Sequence, residues 1–336
     1  MGLANEAGDR KHILLGNGFS IGAHGKFRYG TLYEQAKKSG LSEHVQRLFD
    51  RYGTTNFEQV LRSLSEGIWL ARLYGLKAAD PELDMEVDHE LIRNALVDAI
   101  ASVHPASRKA VEDEKLLACR TFLDNFDSVF TTNYDLLLYW ALMVIQPIRF
   151  KDGFWNQDAD YPNALLFDDV PASPNSGDPF IYFLHGALHL YSEGGQVLKV
   201  KWGSTNPPLI DQIKGALEED RFPLIISEGD PERKKERIEG SGYLARCRRN
   251  FQKIEGNLFV FGSSLGEQDT HILQWIAQNQ KIRRLFVGVH DNPVKDQNLG
   301  MAKRIRDIVA LYRRTNPPKL VFYDSDSANV WTLPPH

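Results

Sequence analysis

His12-Ile-Leu-Leu-Gly16-Asn-Gly18-Phe-Ser20-Ile-Gly22 is a short apolar run that stops on glycines. A run without polar alternation reads as a strand buried on both faces, and glycines at its end read as a tight strand-to-helix turn. Working outward, the same reading applies to Asp127–Tyr134, Phe180–Gly186, Leu224–Gly229, Leu258–Leu265 and Leu285–His290, with Leu320–Tyr323 as a last candidate. Between the later runs lie amphipathic stretches, Ile272, Leu273, Trp275 and Ile276 in one, Ile305, Ile308, Val309 and Tyr312 in another. Strand and helix in alternation predict a Rossmann-like, doubly wound α/β fold with a mostly parallel sheet.

The first two runs stand more than a hundred residues apart, too far for a single crossover. Three stripes at helical spacing fill the gap: Phe57, Val60, Leu61, Leu64 and Ile68; then Leu91, Leu96, Val97 and Ile100; then Leu116 to Leu123. Thr55-Asn-Phe-Glu58 has the form of a capping box for the first. The reading is a helical insertion over 31–122, after the first strand, in a Rossmann domain made of 1–30 and 123–336. The Asp-, Pro-, Asn- and Gly-rich stretch 150–178 reads as a loop, and 188–202 as a hairpin turning at Gly194-Gly195.

Hydrophobic residues make up 42% of the 336 and charged residues 25%, the balance of a globular domain. A net charge of −4 supplies no global basic field for nucleic acid. No run reaches the ~20 apolar residues of a membrane span. The start, Met1 to His12, lacks a signal-peptide apolar core, and the two cysteines, Cys119 and Cys247, suit a reducing compartment, so the cytoplasm is expected. Cys119, following Leu116 and Leu117 on an apolar helix face, reads as a core thiol, and two cysteines cannot make a four-thiolate metal site. The mixed-charge run Pro231 to Arg237 reads as a solvated helix face.

The chemistry-bearing residues cluster at strand ends, where ligands bind in this architecture. Glycines at 16 and 18 let backbone N–H groups approach a pyrophosphate; a ligand-free tight turn is the alternative. The spacing is one residue longer than the dehydrogenase fingerprint, and its ribose-binding acid would fall near Glu34–Lys38, off any second strand, which disfavours hydride transfer. Asn133 and Asp135 end the second run two residues apart, and either face a ligand together or cap the next helix. His185 ends the third run, as a general base or a structural histidine. Gly262, Ser263 and Ser264 end the fifth, with hydroxyls and amides for a phosphate and Asp269 available to cap the following helix.

In that order the segments resemble the sirtuin superfamily. Gly16-Asn17-Gly18-Phe-Ser20 is similar to the sirtuin Gly-Ala-Gly-Ile-Ser, Phe27-Arg28 to its Phe-Arg pair, and Thr132-Asn133-Tyr-Asp135 to its Thr-Gln-Asn-Ile-Asp. Leu184-His185-Gly186 matches the segment carrying the sirtuin histidine, and Phe261-Gly262-Ser263-Ser264-Leu265 resembles the later phosphate and ribose contact. The chain looks most like a bacterial sirtuin-like family that lacks the four-cysteine zinc module beside which the acyl-lysine cleft is built. The resemblance therefore implies NAD hydrolysis without a metal, used in anti-phage defence, rather than deacetylation. It implies that Asn133 orients water and the nicotinamide ribose, Asp135 meets a ribose hydroxyl or developing positive charge, and His185 is the base. Gly16, Gly18, Ser20, Ser263 and Ser264 would hold phosphates and adenine ribose, with Asn17, Phe27, Arg28, Thr132 and Gly262 around them. A homo-oligomer and a partner protein such as a defence-system ATPase are further expectations. An ADP-ribose-binding module without catalysis and an ADP-ribosyltransferase are the alternatives.

Overall fold

The computed structural model describes residues 9–77, 83–146, 148–168, 178–201, 207–219, 221–227 and 231–333. Six strands, β1 (Lys11–Leu15), β2 (Ser128–Thr131), β5 (Phe180–Phe183), β8 (Gly256–Phe261), β9 (Ile282–Val289) and β10 (Lys319–Asp324), form one sheet. Its spatial order is β10-β9-β8-β1-β2-β5, and every neighbouring pair is parallel. Counted among themselves the strands run 3-2-1-4-5-6, the dinucleotide-binding order, whose connections reverse direction between β1 and β8. Ile13, Leu14 and Leu15 of the central strand are wholly buried, as an unalternated apolar run requires. The helices α1 (Asn17–Ala23), α7 (Leu137–Met143), α10 (Gly242–Lys253), α11 (Thr270–Gln278) and α12 (Asp296–Tyr312) belong to the same α/β fold.

Between β1 and β2 stand α2 (Tyr29–Lys38), α3 (Glu43–Tyr52), α4 (Phe57–Tyr74), α5 (Met85–Val103) and α6 (Asp113–Leu123). The three expected stripes fall on the buried faces of α4, α5 and α6, except that Leu91 and Leu117 are exposed. The capping box is not formed as expected. Asn56, not Thr55, caps α4 by accepting the Glu58 N–H at 3.0 Å, which leaves the Glu58 carboxylate to turn elsewhere.

Two strand readings need correction. Leu224–Gly229 is not a sheet strand: its described part makes one antiparallel bridge, Ile225 to Gly186, and 228–229 lie outside the described residues. The stretch 150–178 holds two short strands, β3 (Phe154–Asn156) and β4 (Ala164–Phe167), with 169–177 outside the described residues. They join β6 (Leu190–Glu193) and β7 (Gln196–Val200) in an antiparallel sheet ordered β3-β4-β7-β6. The β6–β7 hairpin turns at Gly194 and Gly195, both at positive φ, as its sequence predicts. The helix α9 (Pro231–Gly240) contains the mixed-charge run, and Lys234 within it is fully buried rather than solvated.

The loop after β8 turns at Gly262 with φ +67°, and a Cβ there would stand 2.5 Å from the Phe19 nitrogen. Strain and overlap act together, so Gly262→Ala should lose about 2 kcal/mol or more in urea unfolding. An unchanged midpoint would contradict this packing.

Candidate functional site

The site begins where two strand ends meet across the reversal point. The Gly16 N–H donates to Phe261 O at 2.9 Å, and the Gly18 N–H donates to Gly262 O at 2.8 Å. A Cβ on Gly16 would lie 2.6 Å from Ser263 Cβ, and one on Gly18 2.7 Å from Gly262 Cα. The glycines therefore answer to the approach of one backbone to another. Their N–H groups are engaged inside the protein, which corrects the expectation that they hold a pyrophosphate.

A second set of bonds ties this loop to the end of β2. The Asn133 amide donates to Gly16 O at 2.9 Å and to Ser20 Oγ at 2.8 Å. Ser20 Oγ donates to Asp135 Oδ2 at 2.5 Å, and Asp135 Oδ1 accepts the Leu137 N–H at 2.9 Å. Asn133 and Asp135 lie beyond the strand, which ends at Thr131; they converge because Ser20 sits between them. Both Asp135 oxygens are bonded and Ser20 is fully buried, so these two residues hold the scaffold. Burial pushes the Asp135 carboxyl up, partly offset by the Ser20 bond. With its amide donors engaged, Asn133 keeps Oδ1 for a ligand. The next backbone donor, Leu136 N–H, meets His104 Nε2 at 3.0 Å, while His104 Nδ1 lies 3.0 Å from Pro105 O. This fixes the neutral Nδ1–H tautomer, and burial lowers the His104 pKa to about 4.

These loops border a cavity of about 310 Å³, the scale of a small-ligand pocket. Gly16, Asn17, Phe27 and Thr132 line one side, and Gly262, Ser263 and Ser264 another. Asn133, Asp135 and His185 reach it as well. Gly18, Ser20 and Arg28 do not line it; Arg28 is exposed, and Ser20 is inside the clamp. Tyr29, Glu58, Tyr134 and Asp269 also face the cavity, whose lining among the described residues has carboxylates but no Lys or Arg.

Behind that lining is a buried charge group. Lys234 Nζ stands 2.9 Å from Glu58 Oε2 and 3.5 Å from Asp269 Oδ1. The Tyr134 hydroxyl lies 3.1 Å from Glu58 Oε1 and 2.9 Å from Ile226 O. Two carboxylates facing one ammonium leave a net negative charge in a place of low dielectric. Burial and Glu58 push Asp269 up to about 6, against the pull of Lys234. Asp269 makes no side-chain cap for α11, contrary to expectation, because its carboxylate turns to Lys234. His185 and His271 bring their Nε2 atoms within 2.9 Å, one donating to the other. Burial first, then Lys234, holds both well below the ordinary histidine range, so both are neutral. His185, Asp269 and His271 present ligand-type atoms within 4.8 Å of one another. Two imidazoles and a carboxylate suit a divalent ion, but the Lys234 ammonium already stands against the carboxylate.

The sequence reading missed Glu58, Tyr29, Lys234 and His271. Glu58 carried a competing local explanation, Lys234 sat in a charge run, and only Tyr134 and Asp269 lay inside motifs already singled out. Cys119 and Cys247 are buried and free, with thiols pushed up by burial, in keeping with core roles.

Lys234→Met should cost about 3–5 kcal/mol in urea unfolding, because it strands two buried carboxylates. Adding Glu58→Gln and Asp269→Asn should recover part of the loss; equal stability of all three proteins would rule out a buried charge group. No curated protein matches the chain. A family profile described as "Domain of unknown function (DUF4917)" matches residues 13–331, and the chain belongs to that family.

Proposed function

We propose that this chain is a sirtuin-like NAD+ glycohydrolase that cleaves the nicotinamide–ribose bond to give nicotinamide and ADP-ribose. The observation that carries the reading is the cavity's position and chemistry. It opens at the β1/β8 reversal of a dinucleotide-order sheet, and its lining joins serine hydroxyls to buried carboxylates. The diphosphate would meet Asn17, Ser263 and Ser264 rather than an arginine. The cationic nicotinamide riboside end would face Glu58 and Asp269.

Cleavage of C1′–N builds positive charge on the ribose, and carboxylates held in a dry site stabilise it strongly. The leaving nitrogen takes the bonding pair and departs as neutral nicotinamide. A water oxygen bonds to C1′ and gives its proton to a base. Asp269 suits that role better than His185: its pKa of about 6 is near the working pH, and its carboxylate lines the cavity. His185 is strongly neutral, and its Nε2 is engaged with His271. Asn133 Oδ1 would orient the ribose or the water.

The engagement of Asn133, Asp135 and Ser20 with one another favours one other reading, a module that binds ADP-ribose without turnover. No helix among the described residues is long and apolar enough to cross a membrane. We place the enzyme in the cytoplasm, restrained until a defence trigger or a partner releases it, since free NAD hydrolysis would be toxic.

Incubation with NAD should release nicotinamide and ADP-ribose in equal amounts, followed by chromatography. Asp269→Asn should lower kcat by about 10²- to 10⁴-fold while leaving ADP-ribose binding nearly intact. Binding without release would favour the module, and NAD loss without matching ADP-ribose would favour transfer. Because Asp269 acts deprotonated, kcat should rise with pH through about 6 and level off above it. A profile flat from pH 5 to 8 would exclude Asp269 as the base.

A further inference from the structure

The helix α4 buries its first half and exposes its second. Phe57, Val60, Leu61 and Leu64 are buried, whereas Trp69 is 60% exposed, Leu73 60%, Tyr74 70% and Leu76 63%. The antiparallel α5 adds Val87 at 56% and Leu91 at 47%. Trp69 and Leu73 repeat at helical spacing, as do Val87 and Leu91, and Leu76 lies just past the Gly75 cap, so each helix presents an apolar stripe that nothing among the described residues covers. The two helices pack on each other, with Gly67 against Met85 and Arg72 bonded to Glu86 at 2.7 Å.

We propose that this α4–α5 face docks on the same face of a second copy of the chain, two helical hairpins closing into a four-helix bundle about a two-fold axis. Three observations select a second copy. Large side chains of ~150–250 Å² at these exposures present on the order of 700 Å², above the patches usual on monomers and near the ~800 Å² per partner of a stable interface. The rim carries both signs. Arg72 lies in the last turn of α4 and Lys77 just past it, while Asp84, Glu86 and Glu90 stand at the start of α5. Arg72 bonds Glu86 and Arg93 bonds Glu90 within the same hairpin, so the rim is charge-balanced and an identical face meets no net like charge, whereas a strongly acidic or basic partner would find no opposite field. An antiparallel helix pair with one apolar face is half of a four-helix bundle.

The test is solution mass by size-exclusion chromatography with light scattering, at micromolar chain and at two salt concentrations. The natural chain should elute at twice its 38.2 kDa, and Trp69→Glu with Leu73→Glu, or Leu91→Lys alone, should return it to 38.2 kDa. All these positions are at least 47% exposed, so circular dichroism should show the fold intact. A natural chain of single mass would overturn the proposal and leave the face to another partner. A dimer unmoved by both variants would overturn it by placing the interface elsewhere. Turnover plays no part, so the result stands apart from the reading of the cavity.

Discussion

The site depends on how closely the ends of β1 and β8 can approach. Gly16 and Gly18 donate to the carbonyls of Phe261 and Gly262, and no side chain larger than hydrogen fits between these backbones. This contact joins the two halves of the sheet at the point where its connections reverse. The Asn133–Ser20–Asp135 clamp then draws the end of β2 onto the same loop. Three strand ends are thus fixed relative to one another before any ligand is considered, and the cavity is the space they leave. A rigid frame of this kind suits chemistry that gains from orientation more than from movement.

Onto that frame the helical interval brings a charge. Glu58, at the start of α4, crosses to Lys234 on α9 and stands beside Asp269 after β8, so three separate parts of the chain share one buried ionic group. Such a group is costly to assemble and contributes little net stability by itself. Burial, reinforced by Glu58, raises Asp269, while burial and the Lys234 ammonium leave the neighbouring imidazoles neutral. Perturbation of this kind beside a cavity is common at functional sites. It also gives the interval between β1 and β2 a part in the site, since without α4 the Lys234 ammonium would face Asp269 alone.

Much of the frame was legible in the sequence and little of the charge. Unalternated runs such as Leu258 to Phe261 announce buried parallel strands, and the glycines at 16, 18 and 262 announce their close turns. The motif residues Asn133, Asp135 and His185 do meet at one sheet edge, because the carboxyl ends of parallel strands share an edge. What each side chain does there was not legible, since Ser20 claims Asp135 and His271 claims His185 through contacts distant in sequence. Glu58 and Lys234 were hidden for the same reason: each had a sufficient local explanation, a helix cap and a solvated charge run, and only tertiary packing overrides such readings. The strands β3 and β4, three and four residues long, are too short for period-two alternation to stand out in a polar stretch.

The central claim is that NAD sits at the β1/β8 reversal with its nicotinamide ribose between Asn133 and Asp269. A crystal structure of the Asp269→Asn chain with NAD tests it most directly. The account predicts the diphosphate near Ser263 and Ser264, and C1′ within reach of both the Asn133 and the residue-269 side chains. Density for the dinucleotide elsewhere, for instance in the hollow between the β6–β7 hairpin and the helix over Leu209–Glu218, would contradict it.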